Sequence, residues 1–328
     1  MTDTVFWIVI FIISLIFLIK SSDYFAKAAE KIGLTLGISQ FVIGVTIVSV
    51  GTSLPELIAS IFAVLQHSPE IVGGNVVGSN IANIFLILAC GAIFSKKKLR
   101  IEKNLLPVDL PMMIGSAMFL ALTVYDDHVF SRWEALLFVA AITVYIFYNI
   151  SEGRKESENN NLANKKVDPK LARSIDDNKH WTGTITTLVI SGMVLFFSAK
   201  YTIQSIIAIS EAFNIGTEII ALTVVALGTS LPELAVTYSA AKSGNGGIVV
   251  GNVLGSNIFN TFAVMGVPGL IQALPFPATL VSPGLVIMII ATALFLVVTV
   301  DKEIGRWEGF MFILFYFYFI GKTITPLI

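Results

Sequence analysis

Long apolar stretches separated by short polar ones set the pattern of this chain. Runs long enough for an α-helix to cross roughly 30 Å of hydrocarbon fall near residues 5–30, 39–66, 71–94, 104–125, 131–150, 181–210, 216–242, 247–272, 279–300 and 305–326. Lipid offers backbone N–H and C=O groups no partner, so each run is predicted to be a helix. A barrel would instead show short alternating strands, which the pattern lacks. The expected fold class is an all-α membrane protein with ten transmembrane helices.

The polar connections set the orientation. KKKLRIEK (Lys96 to Lys103) and the Lys/Arg-bearing stretch from Arg154 to Lys179 follow the third and fifth runs. YDDH (Tyr125 to His128) and SEAFNIGTE (Ser210 to Glu218) follow the fourth and sixth. Positive charge gathers on one side, which the positive-inside rule makes cytoplasmic, with both termini outside. Residues 151–180 are polar and asparagine-rich, and are expected to be a solvated cytoplasmic linker. The first run has no basic leader and no small-residue cleavage site, so it is taken as a retained spanning helix in a multi-pass protein of the cell membrane.

Composition agrees: 55% of residues are hydrophobic and 13% charged, against about 25% charged in soluble domains. A net charge of −1 gives no reason to expect nucleic acid as a partner, and the single cysteine, Cys90, excludes an internal disulfide.

Against this background the segment GTSLPE occurs twice, at Gly51 to Glu56 and at Gly228 to Glu233. In that register Thr46 to Asn83 aligns without a gap on Thr223 to Asn260, with about 20 of the 38 pairs identical. The chain is therefore divided into a first five-helix repeat (1–150), the linker (151–180) and a second five-helix repeat (181–328). Because five is odd, the second repeat enters the membrane from the opposite side. Inverted repeats of this kind place a substrate site where interrupted helices meet near the midplane.

Thr52, Ser53 and Glu56 fall on one helical stripe with Ser49 a turn earlier, and Ala226, Thr229, Ser230 and Glu233 repeat the arrangement. Pro55 and Pro232 lack a donor and disfavour α geometry at Leu54 and Leu231, so each helix is expected to open there. The glycine-rich helices that follow carry Asn75, Ser79 and Asn83, and Asn252, Ser256 and Asn260, at i, i+4, i+8. Their Gly74/Gly78 and Gly251/Gly255 pairs permit close helix approach. Carboxylates, carboxamides, hydroxyls and carbonyls without a histidine or thiol suit hard cations, Ca²⁺ or Na⁺, rather than zinc, copper or iron.

A proline in a spanning helix is often only a kink, GxxxG often only packing, and Ser, Thr and Asn often only helix glue. Two symmetry-related glutamates inside spans resist such readings, because buried intramembrane acids mark ion paths. Lys200 is expected to snorkel or pair, His67, His128 and His180 to sit at solvated helix ends, and Asp109 to be interfacial. The run FILFYFYF (Phe312 to Phe319) reads as lipid-facing packing, and Arg132, Trp133 and Glu134 echo Arg306, Trp307 and Glu308 as interfacial anchors.

The paired GTSLPE and GNVxGSN motifs in inverted halves resemble the cation/calcium antiporter superfamily, of the sodium/calcium exchanger type, over essentially all ten helices. The resemblance implies that Glu56, Glu233, Thr52, Thr229, Ser53, Ser230, Ser79, Ser256 and Asn83, with the carbonyls of Ser49 and Ala226, surround one Ca²⁺ site and adjoining Na⁺ sites. Asn260 occupies a position that is an aspartate in some relatives. The implied activity is Na⁺/Ca²⁺ exchange by alternating access, with the first and sixth helices sliding over a rigid core. Ca²⁺ and Na⁺ are then substrates, with no further cofactor and no obligatory protein partner beyond the lipid bilayer. The chain is read as a transporter and not an enzyme: an intramembrane protease needs an aspartate pair, or a serine with a histidine at depth. A channel usually builds its pore from identical subunits. An H⁺/Ca²⁺ or K⁺-dependent Na⁺/Ca²⁺ antiporter of the same superfamily is the runner-up.

Overall fold

A computed structural model describes residues 2–35, 49–101, 107–163, 181–242, 244 and 246–324. The described residues form ten helical segments: α1 (Thr2–Thr35), α2 (Ser49–Thr52 and Leu54–Leu65), α3 (Glu70–Phe94), α4 (Asp109–Thr123), α5 (Arg132–Ala163), α6 (Trp181–Phe213), α7 (Thr217–Lys242), α8 (Gly246–Ile271), α9 (Leu280–Val300) and α10 (Arg306–Ile324). All but α2, α4 and α10 are long and apolar enough to cross a membrane by themselves. Residues 39–48 of the second run and His180 lie outside the described residues.

The protein is an all-α membrane protein built from two inverted five-helix repeats, and its symmetry shows in small contacts at the helix ends. Leu99–Arg100 (β1), just after α3, pairs antiparallel with Glu303–Ile304 (β4), just before α10. Val129–Phe130 (β2), before α5, pairs in the same way with Leu274–Pro275 (β3), after α8. Arg306 donates to the Ser95 carbonyl at 3.1 Å and Arg132 to the Ile271 carbonyl at 2.8 Å, so each arginine covers a helix C-terminus of the other repeat. Glu134 and Glu308 accept from the backbone N–H groups of Ser131 and Gly305, the return half of a capping box. Trp133 and Trp307 are exposed beside them.

The core sits where α3 and α8 meet α2 and α7. A Cβ at Gly78 would lie 2.1 Å from the Leu222 carbonyl oxygen, and one at Gly74 2.5 Å from that of Glu218. The small-residue spacing therefore brings the α3 backbone directly onto α7.

Four local expectations change. Asp109, expected at the interface, does not face solvent: at the start of α4 it is buried and accepts a hydrogen bond from the Tyr145 hydroxyl at 2.9 Å inside the α4–α5 contact. The aromatic run of α10 is not wholly lipid-facing: Phe312, Tyr316 and Phe319 turn inward as one stripe while Leu314, Phe317 and Tyr318 face out. Helix α5 continues to Ala163, thirteen residues into the polar segment, with no proline before that point to stop it. The backbone departs from α geometry at Ser53 (ψ 7°) and Ser230 (ψ 7°), one residue before the leucines that precede the prolines. His67 and His128 are exposed with positive φ at helix ends, as expected. Lys200 accepts a hydrogen bond at its carbonyl from Gln66 at 3.2 Å.

Candidate functional site

The proline four residues after Gly51 cannot donate back to it, so α2 stops at Thr52 and restarts at Leu54; α7 does the same around Ser230. Each restarted helix carries its glutamate in the first turn, the end at which the helix dipole favours an anion. Thus the sequence signal for a break also places the carboxylates.

The two breaks meet across the repeat axis. Ser53 donates to Oε1 of Glu233 at 3.0 Å, and Ser230 donates to Oε1 of Glu56 at 3.3 Å. Ser256 adds a second donor to Glu233 at 3.3 Å and lies 3.4 Å from the Thr52 hydroxyl. Thr52 donates to the Ser49 carbonyl at 3.2 Å. Thr229 and Ser79 both reach the Ala226 carbonyl, at 3.4 and 3.5 Å. Ten of the twelve residues singled out by the motifs thus fall into two buried hydrogen-bonded groups of five, one around Glu233 (Ser53, Ser256, Thr52, Ser49) and one around Glu56 (Ser230, Ala226, Thr229, Ser79).

The other two are Asn83 and Asn260. Both are fully buried, each one turn beyond Ser79 or Ser256 on the same stripe, and neither amide has a protein partner at its oxygen or its nitrogen. Glu56 and Glu233 likewise keep Oε2 unpaired, and the Ser49 hydroxyl is unpaired. Buried polar atoms normally find partners, and leaving one unmet costs about 1–3 kcal/mol. Here the unmet atoms are chiefly oxygens, gathered at the helix breaks and on the polar stripes, a donor set for a hard cation. Each of the two asparagines also opens a π-type turn, Asn83–Leu88 in α3 and Asn260–Val264 in α8. Such turns widen the helix and are common at functional sites; no hydropathy pattern foretells them.

Beneath the network lies a clasp that spacing only hints at. Asn75 donates to the Glu56 carbonyl at 3.3 Å and to the Ser60 hydroxyl at 3.2 Å. Asn252 donates to the Glu233 carbonyl at 3.2 Å and to the Thr237 hydroxyl at 3.2 Å. Each asparagine fixes the turn that carries the glutamate without approaching its carboxylate. Asn80 and Asn257 occupy equivalent places but differ: Asn80 donates to Thr261 at 2.8 Å, whereas Asn257 has neither amide atom paired. The position equivalent to Thr261 in the first repeat is Ile84, which offers no acceptor.

Known proteins resemble this chain over most of its length. The family described as Sodium/calcium exchanger protein matches residues 6–151 and 183–324. Sodium/calcium exchanger MaX1 of Methanosarcina acetivorans is 36% identical over 343 residues, covering 95% of this chain and 96% of that protein. Among solved structures, the sodium-calcium exchanger NCX_Mj soaked with Na⁺ and Sr²⁺ superposes with a TM-score of 0.65 at 29% identity, covering 97% of this chain and 99% of that one. Sodium/potassium/calcium exchanger 1 of Gallus gallus is 31% identical over 153 residues, which is 44% of this chain and 23% of that protein.

Proposed function

Because the chain belongs to the sodium/calcium exchanger family, we propose that it exchanges Na⁺ for Ca²⁺ across a membrane at the buried network between α2, α3, α7 and α8. In this reading Ca²⁺ is held by Glu56 and Glu233, with the Thr52 and Thr229 hydroxyls and the carbonyls of Ser49 and Ala226 completing its oxygen shell. Na⁺ uses the same region through Ser53, Ser230, Ser79, Ser256, Asn83 and Asn260. The observation that carries the reading is the reciprocal pair, Ser53 to Glu233 and Ser230 to Glu56, which draws the acid of each repeat to the break of the other.

Two carboxylates match one divalent ion in charge. Sodium ions on the same oxygens add positive charge that repels Ca²⁺, so occupancy by one ion excludes the other. Two bare carboxylates are costly to carry through lipid, whereas a loaded site is neutralised and can change its exposure. This makes the exchange obligatory and the access alternating. The 151–180 segment is placed in the cytoplasm with both termini outside, following the clustering of lysine and arginine. The ions are substrates, and the mechanism calls on no resident cofactor.

Purified protein in vesicles loaded with Na⁺ and diluted into Na⁺-free buffer, with pH clamped by a proton ionophore, is expected to take up radiolabelled Ca²⁺. Uptake that fails under the clamp and appears with a pH gradient alone would replace Na⁺ by H⁺ as the driving ion. The partial likeness to a sodium/potassium/calcium exchanger supports a K⁺-dependent second reading, which predicts that internal and external K⁺ change the rate. Full-length similarity to a sodium/calcium exchanger favours the first.

A further inference from the structure

The end of α3 and the end of α7 flank a cavity of about 580 Å³ whose walls include Lys96, Lys97, Lys98, Arg100 and Lys242, with Glu303 as the one carboxylate among the described residues. Glu303 is engaged by Lys98 at 3.2 Å and Arg100 at 3.1 Å, and the Lys98 hydrogen bond with its charge holds the carboxyl below its ordinary range, so it stays ionised. Lys96, Lys97 and Lys242 have no acidic partner among the described residues. Among the described residues the cavity thus sets five cations against one anion.

Repeat symmetry supplies an internal control. The strand pairing that puts Arg100 opposite Glu303 puts Pro275 opposite Val129 at the other end of the molecule. Counting back from those strands, Lys96, Lys97 and Lys98 correspond to Ile271, Gln272 and Ala273, and Lys242 corresponds to Leu65. None of these corresponding positions carries a charge, so the helix packing itself does not require the cations.

What lies beside the cations selects among anions. Phe94 lies two residues before Lys96, and Tyr238 lies one turn before Lys242; both are exposed, and their rings meet edge to face at 5.4 Å. Lys242 sits over the Tyr238 ring, 4.4 Å from its centre. Both rings belong to the spanning helices α3 and α7 and sit at their ends, the level of the membrane interface. A free phosphate would use the cations and leave the aromatic pair idle. A phospholipid would use both, headgroup phosphate on the lysines and acyl chains along Phe94 and Tyr238.

We propose that this cavity is a binding site for the headgroup of an anionic phospholipid, on the face where basic residues gather. The assignment is independent of which ions the protein exchanges. Basic side chains near an anionic surface each strengthen binding about fivefold, so three unpaired lysines give a preference easily measured.

The test is native mass spectrometry of the full chain equilibrated in detergent with equimolar phosphatidylglycerol and phosphatidylcholine. Wild-type protein is expected to retain phosphatidylglycerol at least about tenfold over phosphatidylcholine; equal retention overturns the proposal without recourse to any variant. Substituting Lys96→Gln, Lys97→Gln and Lys242→Gln together is expected to abolish the preference, while Lys322→Gln, exposed near the end of α10, leaves it intact. A preference unchanged in the triple variant, or lost equally in Lys322→Gln, rejects this cavity as the site. A parallel incubation with inorganic phosphate separates the two sources of the anion: phosphate retained by lipid-free protein, with no phosphatidylglycerol preference, assigns the cavity to a free anion and overturns the lipid.

Discussion

Helices α3 and α8 are buried over 83% and 89% of their spanning lengths, whereas α1 and α6 are buried over only 22% and 28%. The difference is one of chemistry as well as exposure. The buried pair carries asparagines, serines and glycines that lock to α2 and α7 through hydrogen bonds and backbone approach. The exposed pair lies against itself, and its hydroxyls mostly bond back to their own helices, as Ser21 does to Phe17 and Ser191 to Thr187. A contact whose polar groups are satisfied within each helix has no fixed register to break when one element moves. The core has many polar contacts between helices, most of them to a carboxylate or from a carboxamide. Such a division suits the proposed mechanism, in which the site stays fixed and the α1–α6 pair changes which side it shields.

The largest expected effect lies at the fixed end of that division. Glu56→Gln and Glu233→Gln keep shape and remove one of two charges facing a divalent ion. A unit charge pair at 4 Å is worth about 4 kcal/mol at an effective dielectric of 20, so Ca²⁺ exchange should fall on the order of a thousandfold. Radiolabelled uptake into vesicles measures this, and an unchanged melting temperature shows that the protein remains folded. Near-normal exchange in either variant would remove the carboxylates from the site.

Ser53→Ala and Ser230→Ala test whether the two repeats contribute alike. Each deletes one donor to the opposite repeat's carboxylate, and a hydrogen bond to a charged group is worth about 1.5–3 kcal/mol. Apparent Ca²⁺ affinity should weaken at least about tenfold in both. Because Glu233 keeps Ser256 as a second donor, Ser53→Ala should be the milder of the two. Equal and negligible effects would mean that the reciprocal bonds do not survive ion binding.

Much of this arrangement is legible in the sequence because it follows from period and spacing. Ten apolar runs, the duplicated GTSLPE and the i, i+4, i+8 stripes determine the helices, their inversion and which oxygens share a face. What stays hidden depends on partners remote in sequence. Nothing local shows that Ser53 reaches Glu233 and not Glu56, or that Asp109 finds Tyr145. The π-type turns at Asn83 and Asn260 escape for another reason: one extra residue in a turn leaves hydropathy unchanged. Phe312, Tyr316 and Phe319 form an inward stripe whose spacing is helical, yet in a run of only aromatic and aliphatic residues polarity cannot mark which side faces lipid.

Glycine substitutions sharpen the contrast between the closely packed core and the more exposed α1–α6 pair. Gly78→Ala places a methyl 2.1 Å from the Leu222 carbonyl, a backbone atom that cannot swing aside. Overpacking of this kind costs about 1–3 kcal/mol and should lower the melting temperature by several degrees. Gly183→Ala in α6 meets nothing within 4 Å, and relieving a helical glycine should leave stability unchanged or raise it by up to about 1 kcal/mol. Thermal melts of the two variants in the same detergent decide this. Similar losses in both would show that α6 is packed as tightly as the core.

The smallest expected effect falls on the α1–α6 contact itself. Thr202 donates to Ser14 across the pair at 3.0 Å and lies 2.9 Å from the carbonyl of Ser198 on its own helix. Ser14 in turn donates to the Phe11 carbonyl at 3.0 Å. Thr202→Val keeps volume and branching while deleting the hydroxyl. Ser14 retains its acceptor, and the lost interhelical bond is worth about 0.6 kcal/mol by the average for such bonds in membranes. If α1 and α6 move as a unit over the core, this bond is preserved through the cycle, and neither Ca²⁺ affinity nor maximal rate should change by more than about threefold. If the two helices shear past each other, the bond must break on each turnover, and its loss should raise the maximal rate while leaving affinity untouched. Measuring Ca²⁺ dependence of uptake at saturating internal Na⁺ separates the two. A change in affinity alone would place Thr202 in the ion site and end the division between fixed core and mobile pair.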